Sequence, residues 1–380
     1  MASLYLSTCR APVNIAVIKY WGKEDERLII PTNDSLSLTL SIDDLCATTT
    51  IAASPDFSKD RLWLNGKEES TSTERIQNCL RAIREAAASR SSSPNPEWKL
   101  KIISENNFPT AAGLASSAAG YACLVASLKN LYGLEGNYSS VARKGSGSAC
   151  RSMFGGFVRW HKGIQPDGED SIAVQVAPSS FWPEIRVIIC VVNDVKKDTG
   201  STSGMQRSVE TSELLKYRIA EVVPRRIEFM AKAIAEKDFD TFARITMQDS
   251  NQFHAICQDT YPPIRYMNQT SWDIVSMVHK YNSKHGSNKL AYTFDAGPNA
   301  FLFCLEENVP EIVEVLRTQF PSDSTDFIRG MYSDDIARKT NLSSALACEL
   351  TPLPPGSLKY VITTRAGEGP TPIQEHLTIE

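Results

Sequence analysis

The sequence predicts an α+β protein of two lobes, and three observations carry that reading. Strand-like and helix-like stretches come in blocks instead of strict alternation, which separates α+β from a doubly wound parallel sheet. At 380 residues the chain exceeds what one compact core supports, so two lobes are the default. An apolar run, IRVIICVV over 185–192, has the length and β-branching of a buried strand, and mainly helical patterning follows it. The boundary is placed at that run, giving lobes of 1–184 and 185–380.

In chain order, residues 11–18 (APVNIAVI) predict a strand, and the chain then turns at Gly22. Leu36, Leu38, Leu40 and Ile42 alternate with polar residues, as in a half-buried strand. Asn65-Gly66 is a hairpin signal. Thr71 and Glu74 fit a capping box, ahead of an apolar stripe of Ile76, Cys79, Leu80 and Ile83. Residues 89–96 (SRSSSPNP) suit a surface loop, and 98–104 alternate like a strand. Ala- and Leu-rich residues 121–131, stopped at Gly133, predict a buried helix. Residues 155–160 predict a strand and 162–170 a turn-rich loop. From Met205 to Tyr281 the pattern is helical, with breaks expected at Pro224 and at Pro262-Pro263. Strands return at 289–295, 300–305 and 359–364. The last residues, 365–380, carry little apolar content and are expected to be loosely ordered.

Composition excludes some classes of function. A net charge of −4 offers no general basic face for nucleic acid, so any anion site must be local. No apolar run approaches the roughly 20 residues of a membrane helix, and residues 1–10 lack the pattern of a secretory signal. Nine cysteines stand singly without a C-x-x-C pair, which predicts reduced thiols in a cytoplasmic setting. The five histidines show no metal-ligand spacing and suit surface or structural positions better than catalytic ones.

Four stretches of small and polar residues could carry chemistry: Asn14 with 19–23, then 113–117, 144–151 and 295–299. The second lies between a predicted strand and a predicted helix, with Gly113 at the bend and Ser116 and Ser117 at the helix start. A helix start leaves backbone N–H groups unpaired and partly positive, so it can seat phosphate; it can equally be a tightly packed, serine-capped turn. Lys19 and Lys23 fit solvated loop charges, Arg151 a structural ion pair, and Asp295 an ordinary turn. Their combination of cations, hydroxyls and one carboxylate favours a polyanionic substrate pair. No Walker motif and no nucleophile elbow occurs.

The segment PTAAGLASSA over 109–118 resembles the phosphate-binding motif of the GHMP kinases. Further stretches resemble one branch of them, the diphosphomevalonate decarboxylase family: APVNIAVIKYWGK at 11–23, SENNFP at 104–109, RKGSGSACR at 143–151, MQDSNQFH at 247–254 and YTFDAGPN at 292–299. The likeness runs in order from about Pro12 to Leu305. It implies a two-lobed GHMP-kinase-like α+β fold with the active site in the cleft between the lobes. It also implies a homodimer that uses ATP and Mg²⁺ to convert mevalonate 5-diphosphate to isopentenyl diphosphate; composition adds the expectation of a cytoplasmic protein without nucleic-acid or membrane partners.

Carried onto this sequence, the resemblance implies an ATP site of Asn107, Pro109, Ala111, Gly113, Leu114, Ala115, Ser116 and Ser117, with Ser117 as the Mg²⁺ ligand. The diphosphate falls to Tyr20, Lys23, Ser146, Ser148 and Arg151. Asp295 is the expected base on the tertiary hydroxyl, Arg151 the holder of the substrate carboxylate, and Asn14 the group that steers Arg151. Ser117 is expected to stabilise the transferred phosphoryl group. For Lys19 the sequence leaves open whether it polarises the hydroxyl or neutralises phosphate. Because the third motif lacks the Gly-Gly pair of many sugar kinases, their phosphate contacts are not carried over.

Overall fold

A computed structural model describes residues 3–90, 94–108, 116–192, 199–332 and 351–378. The first part of the chain forms β1 (Tyr5–Pro12), β2 (Asn14–Ile18), β3 (Lys23–Asp25), β4 (Ile30–Pro31), β5 (Ser35–Thr39), β6 (Cys46–Ser54), β7 (Arg61–Leu64) and β8 (Lys67–Glu69). Then come α1 (Glu74–Ala88), β9 (Lys99–Asn106), α2 (Ser116–Leu131), α3 (Ser139–Gly145), a 3₁₀ turn at Gly147–Met153, β10 (Phe157–Trp160) and β11 (Ala173–Ala177). The second part opens with β12 (Ile185–Val191) and continues through α4 (Ser201–Thr211), α5 (Glu213–Tyr217), α6 (Val223–Glu236), α7 (Phe239–Asp259) and α8 (Gln269–His285). It ends with β13 (Leu290–Phe294), β14 (Ala300–Leu305), α9 (Val309–Gln319), β15 (Ile328–Gly330), β16 (Tyr360–Arg365) and β17 (Thr371–Ile373).

The fold is α+β, as the blocks of elements predict. One sheet runs β17-β1-β6-β9-β7-β8, a second β11-β10-β5-β2, and a third β13-β14-β12-β16-β15. Helix α2 lies on β1 and β6, while α7 and α8 lie on β13. Central β12 is buried at every position, as its apolar run requires. At the β7–β8 hairpin, Asn65 and Gly66 both take positive φ (49° and 77°), the backbone of a two-residue turn that matches strand twist. The stripe of α1 is buried as expected.

Five expectations are corrected. Residues 11–18 form two strands in two sheets. Pro12 has no N–H to extend a ladder, and the Val13 carbonyl accepts a bond from Leu40 N at 3.0 Å. Strand β5 is buried at every position, because its polar side is also covered: Ser35 accepts from Arg151 Nη1 and the Thr39 hydroxyl donates to the Phe154 carbonyl. The capping box is absent: α1 starts after Thr73 without a side-chain cap, and the Thr71 hydroxyl donates to the Asp60 carbonyl instead. Pro224 opens α6 and breaks nothing, because a π-helical turn, Arg218–Val222, joins α5 to α6 just before it.

The fifth correction concerns the tail. Its β17 pairs antiparallel with the outer side of β1, the Thr8 hydroxyl meets His376 Nδ1 at 2.7 Å, and Leu377 N donates to Thr50 Oγ1 at 2.8 Å. An added edge strand is held by main-chain bonds, so low apolar content does not loosen it. Among the described residues no helix is long and apolar enough to cross a membrane.

Candidate active site

Two neighbouring cavities meet at Ser117. The first, about 180 Å³, is lined by the cations Lys19, Lys23, Arg75 and Arg151 against one carboxylate, Asp295. Tyr20, Ser146, Ser148 and Ser117 complete its polar wall. The second, about 330 Å³, is largely apolar, with Leu62, Leu64, Ile76, Ile102 and Leu124 under Ser116 and Ser117. Among the described residues four cations line this cavity, two of them ion-paired, and a local excess of positive charge in a chain whose total is −4 suits a polyanion. An apolar recess beside it suits a flat ring.

Each polar group arrives from a different element. Strand β2 ends in the loop that carries Lys19, and the turn after β13 carries Asp295. Lys19 Nζ lies 2.5 Å from Asp295 Oδ1, with the lysine buried and the carboxylate one-third exposed to the cavity. Burial pushes the Lys19 pKa below the ordinary lysine range, and the charges of Asp295 and Asp249 pull it partly back.

Arg151 projects from the 3₁₀ turn and is only 3% exposed. Its Nε donates to Asn14 Oδ1 (3.2 Å) and its Nη1 to Ser35 Oγ (2.6 Å). Asn14 is fixed in turn by donating to the Ser148 carbonyl (3.0 Å) and to Ser152 Oγ (2.8 Å). Among the described residues no carboxylate pairs with Arg151, and burial lowers its pKa. Such an arginine is a preformed seat for an anionic ligand.

The loop holding Tyr20 and Lys23 is anchored from below. Trp21 donates to Ser208 Oγ at 2.9 Å and packs edge-on against Phe253 at 4.8 Å. Tyr20 packs on Trp160 with ring centroids 4.7 Å apart, and burial raises its phenol pKa. Lys23 is buried and ion-paired with half-exposed Glu26. Gly147 permits this packing: a Cβ there would stand 2.9 Å from both Trp160 and Tyr20.

The structure thus gathers Lys19, Tyr20, Lys23, Ser117, Ser146, Ser148, Arg151 and Asp295 around one cavity, with Asn14 behind Arg151. The Ser117 and Ser146 hydroxyls are 3.3 Å apart. Ser116 lines the second cavity. Asn107 lines neither; its side chain accepts from Cys46 N (2.8 Å) and donates to the Asp44 carbonyl (3.2 Å). Pro109, Ala111, Gly113, Leu114 and Ala115 lie outside the described residues.

Sequence reasoning gave no site role to Arg75, nor to Ser201, Thr202 and Met205, which lie in a further family-like stretch at 198–206; all four line the cationic cavity, and the Arg75 guanidinium donates to Thr202 Oγ1 at 3.2 Å. It likewise gave no role to Asp249 of the family-like stretch 247–254, which is fully buried in α7 and paired with Arg218 at 2.8 Å. Burial alone would raise the Asp249 pKa, but Arg218 and Arg226 outweigh it and hold the carboxyl below the usual range. His254 is buried beside Phe294, and burial takes its pKa down to about 3, so it stays neutral; this is the structural histidine the sequence suggests. Among the described residues no group of three or more His, Cys, Asp or Glu side chains could hold a metal ion.

Residues 11–173 match the family model of the diphosphomevalonate decarboxylase-like N-terminal domain, and 187–373 that of the mevalonate 5-diphosphate decarboxylase C-terminal domain. The human diphosphomevalonate decarboxylase is 55% identical over 372 residues, covering 96% of this chain and 92% of the human protein. The structure of mevalonate diphosphate decarboxylase from Trypanosoma brucei superposes with a TM-score of 0.90 at 42% identity, covering 97% of this chain and 98% of the other. Another, MDDEF in complex with MVAPP, AMPPCP and magnesium, gives a TM-score of 0.77 at 31% identity, covering 98% of this chain and 100% of that one.

Proposed function

Because the chain belongs to the diphosphomevalonate decarboxylase family, we propose that it uses ATP to convert mevalonate 5-diphosphate to isopentenyl diphosphate, releasing phosphate and carbon dioxide. It is an enzyme of the mevalonate pathway, and the reaction makes it an ATP-dependent carbon–carbon lyase. The observation that carries the residue assignments is the contact between Lys19 and Asp295 at 2.5 Å, in a cavity that also holds Arg151, which has no acid partner among the described residues.

The substrate carries a diphosphate, a carboxylate and a tertiary hydroxyl, and the cavity offers a group for each. Tyr20, Lys23, Ser146 and Ser148 take the diphosphate. Arg151, aimed by Asn14 and Ser35, holds the carboxylate with its planar fork. Asp295 accepts the proton of the tertiary hydroxyl as that oxygen attacks the γ-phosphoryl group of ATP. Lys19 orients Asp295 and supplies positive charge beside the reacting oxygen. Ser117, at the start of α2, faces the transferred phosphoryl group, and stabilising its charge is the main task in such chemistry. The phosphorylated oxygen then leaves as phosphate. Positive charge builds on the tertiary carbon near Asp295, and loss of carbon dioxide supplies the electron pair of the new double bond.

The apolar cavity beside Ser117 takes the base of ATP. Mg²⁺ fits this donor set, because the hard ion keeps several waters and accepts nucleotide phosphate oxygens, so few protein ligands are needed. The Ser117 hydroxyl is the residue that would hold it, and the ion would supply charge neutralisation on the phosphates. The chain divides into two lobes near residue 184, with the active site in the cleft between them and the tail strapped back across β1. It acts as a cytoplasmic homodimer; the eight described cysteines are all buried and free, which suits a reducing compartment.

Replacing Asp295 with Asn keeps the shape and removes the base. Asp295→Asn is expected to lower kcat by roughly 10²-fold or more, with the ATP dissociation constant little changed. Activity within about threefold of wild type in a folded variant would remove Asp295 from the chemistry.

A further inference from the structure

We propose that the buried Arg218–Asp249 ion pair is a positioning device for Lys19. The proposal rests on the reading of Lys19 as the cation beside the reacting hydroxyl. Both backbone polar groups of Lys19 are gripped by this one pair. Lys19 N donates to Asp249 Oδ2 at 2.7 Å, and the Lys19 carbonyl accepts from Arg218 Nη2 at 3.1 Å. The two side chains close on each other at 2.8 and 2.9 Å and have no exposure at all. Asn33 Nδ2 adds a second bond to the Lys19 carbonyl (3.2 Å), and Arg226 adds a second bond to Asp249 (3.0 Å).

Stability alone is a poor reason for such a pair, because two well-packed apolar residues usually serve a core as well or better. A lysine side chain is a long flexible stem, so placing its tip within 2.5 Å of Asp295 depends on fixing its root. The pair fixes that root from elements far apart in sequence: Arg218 opens the π-helical turn and Asp249 sits in the middle of α7. π-Turns recur at functional sites, where they re-aim a side chain, and this one presents Arg218 to the lysine loop. Asp249 also acts on Lys19 through charge, since its carboxylate raises the lysine pKa against the lowering by burial. The other charged or titratable groups around Lys19 are Asp295 from the turn after β13, Arg151 from the 3₁₀ turn, Arg218 from the π-turn, neutral His254 from α7 and, on the far side of Asp249, Arg226 from α6.

The test measures kcat, KM and the pH profile of kcat in Asp249→Asn, Arg226→Gln, Lys19→Met and the double variant Asp249→Asn/Lys19→Met. Folding is checked by circular dichroism and a cooperative melt. Asp249→Asn is expected to lower kcat at least about tenfold with the KM for ATP within about twofold. Removing the negative charge lowers the Lys19 pKa further, so the alkaline limb of its profile moves to lower pH. Arg226→Gln removes a positive charge but leaves Arg218 on Asp249, so its limb moves to higher pH; this partly exposed site keeps the proposal testable if Asp249→Asn does not fold. In the Lys19→Met background, Asp249→Asn is expected to cost nothing more in residual turnover. The proposal is overturned by an unmoved limb in the folded variants, or by an equal cost with and without Lys19. Wild-type turnover in Lys19→Met would instead remove the role given to Lys19, and the positioning role with it.

Discussion

Arg151 enters the cavity without an ion pair to any acid among the described residues, held by an amide and a hydroxyl in place of a carboxylate. An arginine so buried costs free energy unless an anion completes it, and its fork can bond two carboxylate oxygens at once. A lysine would deliver a point charge on a shorter donor set. Arg151→Lys is therefore expected to lower kcat/KM for mevalonate 5-diphosphate at least about tenfold while the fold stays intact. Equal kcat/KM would contradict the role given to Arg151. Taken singly, Lys19, Lys23, Arg151 and Asp295 each have an ordinary use in the sequence; what marks them there is their combination and the family likeness of their segments, and the fold brings them to one cavity. The burial of Asp249 and Arg218 is not legible there, although Asp249 lies in the family-like stretch 247–254: in a helical pattern an acid or an arginine ordinarily marks the solvated face, and here α7 and the π-helical turn bring the two together against the lysine loop. Arg75 was hidden for the same reason, lying on α1 beyond its apolar stripe.

The elements show where local signals suffice. The β7–β8 hairpin and the buried stripe of α1 follow from turn chemistry and periodicity, with no help from distant residues. Strand β5 shows the opposite case. Its alternation reads as one wet face, yet the polar face is turned to the interior, where Ser35 meets Arg151 and the Thr39 hydroxyl donates to the Phe154 carbonyl at 2.8 Å. The 3₁₀ turn at Gly147–Met153 matters most for the site, since it delivers Ser148 and Arg151 together. Its first residue cannot carry a side chain without displacing Tyr20 or Trp160, whose atoms stand 2.9 Å from where a Cβ would be. Gly147→Ala should thus move Tyr20 off its ring contact and raise the KM for mevalonate 5-diphosphate several-fold, with secondary structure unchanged by circular dichroism. Wild-type KM in that variant would show that Tyr20 does not bear on the diphosphate.

At the scale of the whole molecule, function follows from how charge is distributed. A chain with net charge −4 places four cations around one carboxylate in a single cavity, with an apolar recess sharing its rim at Ser117. No single segment contains that arrangement: Lys19 and Arg151 precede β12, Asp295 follows β13, and the cavity exists only when these parts meet. The tail contributes to the same framework. Gly367 N donates to the Thr39 carbonyl (2.9 Å) and β17 covers the open side of β1, so the end of the chain braces the sheets that carry the site. In the proposed function, phosphorylation by ATP and loss of carbon dioxide are two stages of one reaction in this cavity. Its most direct test counts carbon dioxide, ADP and isopentenyl diphosphate released by the purified protein from carboxyl-labelled mevalonate 5-diphosphate with ATP and Mg²⁺. Equal amounts of all three are predicted; ADP accumulating beside a phosphorylated substrate that keeps its label would contradict the account.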